Sequence, residues 1–219
     1  MSKIFQFGET VEGYSIPVLN EREIRAAAGM LFLLMFIAIR EAATIEDFSL
    51  LKYAIVIFLT DIATRVFINP KYAPSLILGR LIVRNQTPEY VGAAQKKFAW
   101  IIGVILASVM FVLMVVMNAH SPITGIICLI CLVFLFFESA FGICIGCMVY
   151  SLIYKEKAQY CPGEVCDVKA KQDIQKTSGM QMLILCGFAL YIAGMAVLFN
   201  DTFSIKPYDM FGIGMFKQP

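Results

Sequence analysis

The sequence predicts an all-α, polytopic bundle of membrane-spanning helices, and three observations predict it. Of 219 residues, 59% are hydrophobic and only 16% charged, against about 45–50% and about 25% in a soluble domain. The mean hydropathy is +0.77. The apolar residues gather in runs, several of which approach the roughly 20 residues of helix needed to cross a bilayer. So much apolar surface cannot be hidden in a soluble core of this size. The composition excludes a soluble enzyme, a disulfide-stapled secreted module and a disordered chain. A net charge of +2 falls far short of a nucleic-acid-binding face, so no nucleic acid is expected as a partner. The expected partner is the lipid bilayer.

The first 20 residues carry Glu9 and Glu12 and no continuous apolar stretch, so they do not read as a signal peptide. A first span is expected over 26–45, behind Arg22 and Arg25. A second is expected over 51–68, interrupted by Asp61 and Arg65, and Asn69-Pro70 ends it. The stretch at 72–85, YAPSLILGRLIVRN, suggests a short interfacial helix on the membrane surface, with a plain loop as the alternative. A third span is expected over 98–118, with Trp100 as an interfacial anchor. Ser121-Pro122 makes a tight connection to a fourth span over 123–153. Its 31 residues would run roughly 46 Å as a helix, so one end must tilt or project into water. A fifth span is expected over 179–199. The whole chain, 1–219, reads as one membrane domain, with a cysteine-bearing loop at 154–177.

Alternating the sides of five spans places 13 of the 18 Lys and Arg on the side of the N-terminus and four on the other, with Arg65 inside a span. Positive loops stay inside. The expected location is a bacterial inner membrane, with the N-terminus cytoplasmic and the C-terminus outside.

Four of the seven cysteines fall within 23 residues: Cys144 and Cys147 as a CxxC, then Cys161 and Cys166 as CPGEVC. Cys144 lies 21 residues after Ile123, roughly 31 Å along a helix and so at the cytoplasmic interface. On a continuous helix Cys144 and Cys147 share a face. Cys161-Pro162-Gly163 is a turn signal that folds Cys166 back. Four thiols at one interface suit zinc binding, disulfide exchange or carriage of a persulfide. The spacing C-x2-C-x13-C-x4-C resembles a zinc ribbon only loosely. Cys128, Cys131 and Cys186 read as buried packing residues. A thiol path along the fourth helix is the alternative for the first two, but Cys131 and Cys144 are then roughly 20 Å apart.

Glu138 lies within an apolar run, six residues before Cys144. Ionisable groups inside a span are costly and face a partner or a cavity. Asp61 and Arg65 are spaced to pair on one helix face. Their bland reading is a structural ion pair. Their functional reading sets them beside Glu138 as a polar patch below the thiols. His120, the only histidine, reads as a surface residue at the outer boundary.

Three segments carry a resemblance: NPKYAPSLILGRLIV at 69–83, AAQKKFAW at 93–100 and FESAFGICIGCMVY at 137–150. The chain resembles a family of small bacterial polytopic membrane proteins catalogued as a domain of unknown function. The resemblance covers roughly 18–154. Its most specific part, E-S-x-F-G-x-C-x-G-C-x-x-Y, falls on Glu138, Gly142, Cys144, Gly146, Cys147 and Tyr150. It implies about four spans and suggests a thioredoxin-like or rhodanese-like soluble partner. The CPGEVC pair and a fifth span depart from it.

The preferred expectation is a thiol redox or persulfide relay on Cys144, Cys147, Cys161 and Cys166, with Glu138 as a nearby acid or base. A quinone would be its membrane cofactor if the chemistry is redox. The first alternative is a small transporter or metal-handling protein, with zinc on the same four cysteines. The second is a structural subunit, as a homo-oligomer or in a larger membrane complex.

Overall fold

The computed structural model describes residues 7–14, 16–146, 149, 174 and 176–210. In chain order its elements begin with β1 (Val18–Asn20), α1 (Glu21–Thr44), α2 (Ser49–Ala63) and α3 (Pro74–Ile82). They continue with β2 (Tyr90–Gly92), α4 (Ala93–Met110), β3 (Ala119–His120), α5 (Pro122–Phe136), α6 (Gly179–Ser204) and β4 (Tyr208–Asp209). Three helices run on into π turns: α2 through Thr64–Ile68, α4 through Phe111–Val116 and α5 through Phe137–Phe141.

Two small strand pairings set the two ends of the bundle. β1 pairs antiparallel with β2, Val18 opposite Gly92. α1 and α4 start directly after these strands, so both begin at this near end. Asn20 caps α1, its Oδ1 accepting from the Arg22 amide at 3.2 Å and satisfying a donor that the helix leaves open. α6 also begins here: Gln181 Nε2 donates to the Lys71 carbonyl at 2.8 Å. At the far end β3 pairs in parallel with β4, Ala119 opposite Tyr208. That ties the corner between α4 and α5 to the chain leaving α6. Lys52 at the start of α2 donates to the Ile205 carbonyl, and Lys206 pairs with Glu46.

Four helices are long and apolar enough to cross a membrane: Glu21–Thr44, Ala93–Val116, Pro122–Phe141 and Gly179–Ser204. α2 with its π turn returns from the far end to the near end and carries Lys52, Asp61 and Arg65, all buried. α1 lies at the centre. Its inward face, Ala27, Ala28, Leu31, Met35, Ala38 and Ala42, is buried and mostly small, which lets neighbouring helices come close. Leu33, Phe36 and Ile37 point outward and stay exposed, as expected where lipid is the solvent. α6 is covered least: only Gln181 and Phe203 are buried along it, and Cys186 is exposed where a packing role was expected.

The helix expected over 72–85 is present as α3, with one face packed on α1. Ser75, Leu76, Ile77, Gly79 and Arg80 are buried. A Cβ on Gly79 would stand 2.5 Å from the Glu23 carbonyl oxygen, so only glycine permits this approach. Leu78 and Ile82 remain exposed.

The fourth long helix is shorter than the sequence suggests. The apolar run was expected to stay one helix to 153, but α5 and its π turn stop at Phe141, and helix is assigned again only at 145–146 and 149 among the described residues. Gly142 adopts φ +68°, a conformation that costs other residues roughly 1–2 kcal/mol. Its amide donates to Glu138 O and that of Ile143 to Phe137 O, both at 3.1 Å. The Gly142 bond with its left-handed backbone is an αL stop, which apolarity does not reveal. His120 also departs from expectation. It is buried, stacks on Phe48 and has Nδ1 3.1 Å from the Pro207 carbonyl. Pairing of β3 with β4 covers it.

Candidate functional site

The break at Gly142 shapes the site. Arg25 of α1 lies over it: a Cβ on Gly142 would be 3.4 Å from the Arg25 side chain, and Nη2 donates to Ala140 O at 3.4 Å. A cation here suits the negative end of the helix. After Gly142 the chain settles against α4. A Cβ on Gly146 would stand 2.5 Å from the Ala99 Cβ, so residues 144–146 rest directly on that helix.

This contact closes one side of a cleft whose walls include Arg65, Trp100, Cys131, Glu138, Cys144 and Gly146. Its volume is about 50 Å³, enough for a few waters or a small sulfur species at roughly 10–15 Å³ per water. Cys144 is disulfide-bonded. Cys131 is a free thiol, 7% exposed. The helix breaks between Cys131 and Cys144, and both border one cleft.

The charges around the cleft are paired. Lys96 Nζ lies 2.8 Å from Glu138 Oε1 and 2.8 Å from Glu21 Oε2. One cation thus joins α1, α4 and the π turn that ends α5. Lys96 is 3% exposed. Desolvating such a group is costly, and a partner on each side offsets that cost. Behind it Arg65 donates from Nε to Asp61 Oδ2 at 2.9 Å and from Nη2 to Ser75 Oγ at 2.6 Å. The Ser75 amide and hydroxyl donate back to Asp61 at 2.8 and 2.6 Å. The Arg65 guanidinium lies 5.0 Å from the centroid of Trp100, a cation–π contact. Arg65 and Glu138 both sit on π turns, an irregularity common at functional sites.

A second ionic cluster borders the near end. Arg80 Nε is 3.1 Å from Glu23, and Nη2 is 3.5 Å from Glu9. Asn20 Nδ2 donates to Glu23 at 3.1 Å. These bonds clamp α3 and the N-terminal segment onto α1.

Residues 19–155 match the family described as a domain of unknown function, DUF4395. The chain belongs to the DUF4395 family. The matched region holds every described residue of the cleft. Cys161, Cys166 and α6 lie beyond the DUF4395 region. No curated protein and no solved structure matches the chain.

Of the site residues expected in this DUF4395 chain, Glu138, Arg65 and Cys144 border one cleft. Asp61 stands behind it, bonded to Arg65. Cys147, Cys161 and Cys166, with the Cys161-Pro162-Gly163 turn, lie outside the described residues. Among the described residues no group of three or more His, Cys, Asp or Glu side chains could hold a metal ion. Lys96, Glu21 and Trp100 were not expected at the site. The available signal was an imbalance: Glu138 had no cation within its own span, and Lys96 lies in the first turn of the preceding helix.

Proposed function

We propose that this DUF4395 protein exchanges electron pairs or sulfane sulfur with a soluble thiol partner through Cys144. The observation that carries the reading is the disulfide at Cys144 on the wall of a cleft bordered by Arg65 and Glu138. A thiolate of a thioredoxin-like protein attacks one sulfur and forms a mixed disulfide. The other sulfur leaves as a thiolate, and a second partner thiol resolves the bond. Glu138, held by Lys96, is placed to supply or take the proton. In the persulfide form of the relay a rhodanese-like partner hands one sulfane sulfur to the reduced thiol.

The same reading takes α2 with its π turn as a fifth crossing and α3 as a helix at the interface. α2 and its π turn run the same course as their neighbours, and their three charges are buried rather than turned to lipid. The bias of 13 Lys and Arg to four supports placing the near end in the cytoplasm of a bacterial cell. A disulfide in that reducing compartment is usually catalytic or sensing rather than structural. The uncovered surface of α6 favours a second reading, membership of a homo-oligomer or a larger membrane complex, and the two readings are compatible.

The test is intact mass of protein purified without oxygen, before and after reduced thioredoxin. The expected result is two new thiols in the native chain and none in Cys144→Ser. A native chain with seven free thiols, bound zinc, or undiminished transfer in Cys144→Ser would sink the reading.

A further inference from the structure

A second cavity lies at the far end, among α1, α2, α4 and α5. Its volume is about 160 Å³, and its walls include Phe48, Met110, Met114, His120, Gly125 and Cys128. An apolar cavity of about 150 Å³ holds one benzene-sized ring, so this one fits a six-membered ring with small substituents. Ser121 and Thr124 also border it, but their hydroxyls are engaged in the box that caps α5. The remaining wall is chiefly carbon and sulfur.

The cavity opens between two helices rather than at the end of the bundle. Ala43 on α1 and Gly125 on α5 both border it, and both are exposed. The surface beside them is apolar: Ile123 is 50% exposed and Ile126 is 58% exposed. A ligand entering here comes from lipid.

Cys128 and Cys131 stand one turn apart on α5, which places them on one face. Cys128 borders this cavity, and Cys131 borders the cleft of Cys144. Both thiols are free and buried. The pair therefore connects the two cavities through the interior of the bundle.

We propose that the far-end cavity takes the ring of a lipid-soluble quinone and that Cys128 and Cys131 hand it an electron pair drawn from the Cys144 cleft. The proposal rests on Cys144 acting as an exchanging disulfide. In the quinone step the two thiols lose two electrons and two protons, and an S–S bond forms between them. The quinone gains both and becomes a quinol. In the step before, the reduced pair at Cys144 reduces a Cys128–Cys131 disulfide through a mixed disulfide and ends oxidised. A lipid acyl chain also fits an apolar cavity, but it accepts no electrons and leaves the placement of the thiol pair unexplained.

The test uses the full chain in phosphatidylcholine nanodiscs without oxygen, mixed with duroquinone. The fully methylated ring of duroquinone leaves no carbon for a thiol to add to. Thiols are then alkylated and the intact mass read. Two thiols, Cys128 and Cys131, should become protected while Cys186 is alkylated, and one duroquinol should form per chain. Cys144→Ser should give the same result, because this step needs only the α5 pair. Gly125→Leu adds bulk at the open border of the cavity, where a Cβ meets nothing within 4 Å, and leucine favours helix over glycine. It should slow the quinone step roughly tenfold or more through steric exclusion, with reduction of the Cys144 disulfide by thioredoxin unchanged. Ala43→Leu at the mouth should do the same. Thiols at Cys128 and Cys131 that stay fully alkylated overturn the proposal, as do equal rates in both filling variants. A bound phospholipid chain that duroquinone fails to displace also overturns it. If Cys144→Ser keeps thioredoxin-driven quinol formation, the near-end reading and the supply of electrons from Cys144 are both overturned, and only the transfer from the α5 pair to the quinone stands.

Discussion

Lys96 Nζ stands 2.8 Å from Glu138 Oε1, and the contact joins the first turn of α4 to the last turn of α5. Lys96→Met leaves Glu138 and Glu21 buried without their cation. Breaking a buried pair this way costs about 3–5 kcal/mol. Unfolding in mixed detergent micelles should show that loss, and adding Glu138→Gln and Glu21→Gln to Lys96→Met should recover much of it. A loss below about 1 kcal/mol, the ordinary worth of an exposed pair, would mean that water reaches the cluster.

Arg65 makes bonds of defined direction to Asp61 and Ser75 and covers Trp100. Lysine keeps the charge but not the planar fork. Arg65→Lys should therefore cost about 1–3 kcal/mol, the scale of leaving a buried hydrogen-bonding group unsatisfied. The chain has one tryptophan, so its emission reports directly on this contact. An unchanged Trp100 spectrum in Arg65→Lys would argue against the stacking.

Gly142 connects backbone conformation with thiol position. Gly142→Val should cost at least about 1–2 kcal/mol because of its positive φ. Gly142→Asn should cost less, since asparagine tolerates that conformation. Reduction of the Cys144 disulfide by dithiothreitol should change rate in the valine variant and stay near normal in the asparagine variant. Equal rates in all three proteins would show that the helix stop does not position Cys144.

Gly79 is the point where α3 meets α1. An alanine there collides with the Glu23 carbonyl oxygen at 2.5 Å, a backbone atom that cannot swing away. Gly79→Ala should cost about 1–3 kcal/mol by overpacking. It should also loosen the Arg80 to Glu23 bridge, seen as faster hydrogen exchange across 74–82. Unaltered exchange would mean that α3 moves as a unit with little penalty.

Much of the fold follows from the sequence because spanning helices are governed by local rules. Apolar runs of bilayer length, a proline after Asn69 and a Ser-Pro corner locate most helix ends to within a few residues. The spacing of Asp61 and Arg65 predicts their pairing, because four residues along a helix bring two side chains onto one face. The stop at Gly142 is less legible. The residues after it are as apolar as those before, and glycines are common in spanning helices, so only the left-handed backbone and its two carbonyl bonds reveal the end.

The sequence by itself determined the membrane class and the course of most apolar helices. Those depend on composition and short-range spacing, which are properties of the unfolded chain as much as of the folded one. Tertiary structure decided the rest. It brought Lys96 to Glu138 and Glu21, buried His120 under β4, and placed Cys131 and Cys144 on one cleft. These relationships are set by which helix faces pack together, and no spacing along the chain encodes that choice.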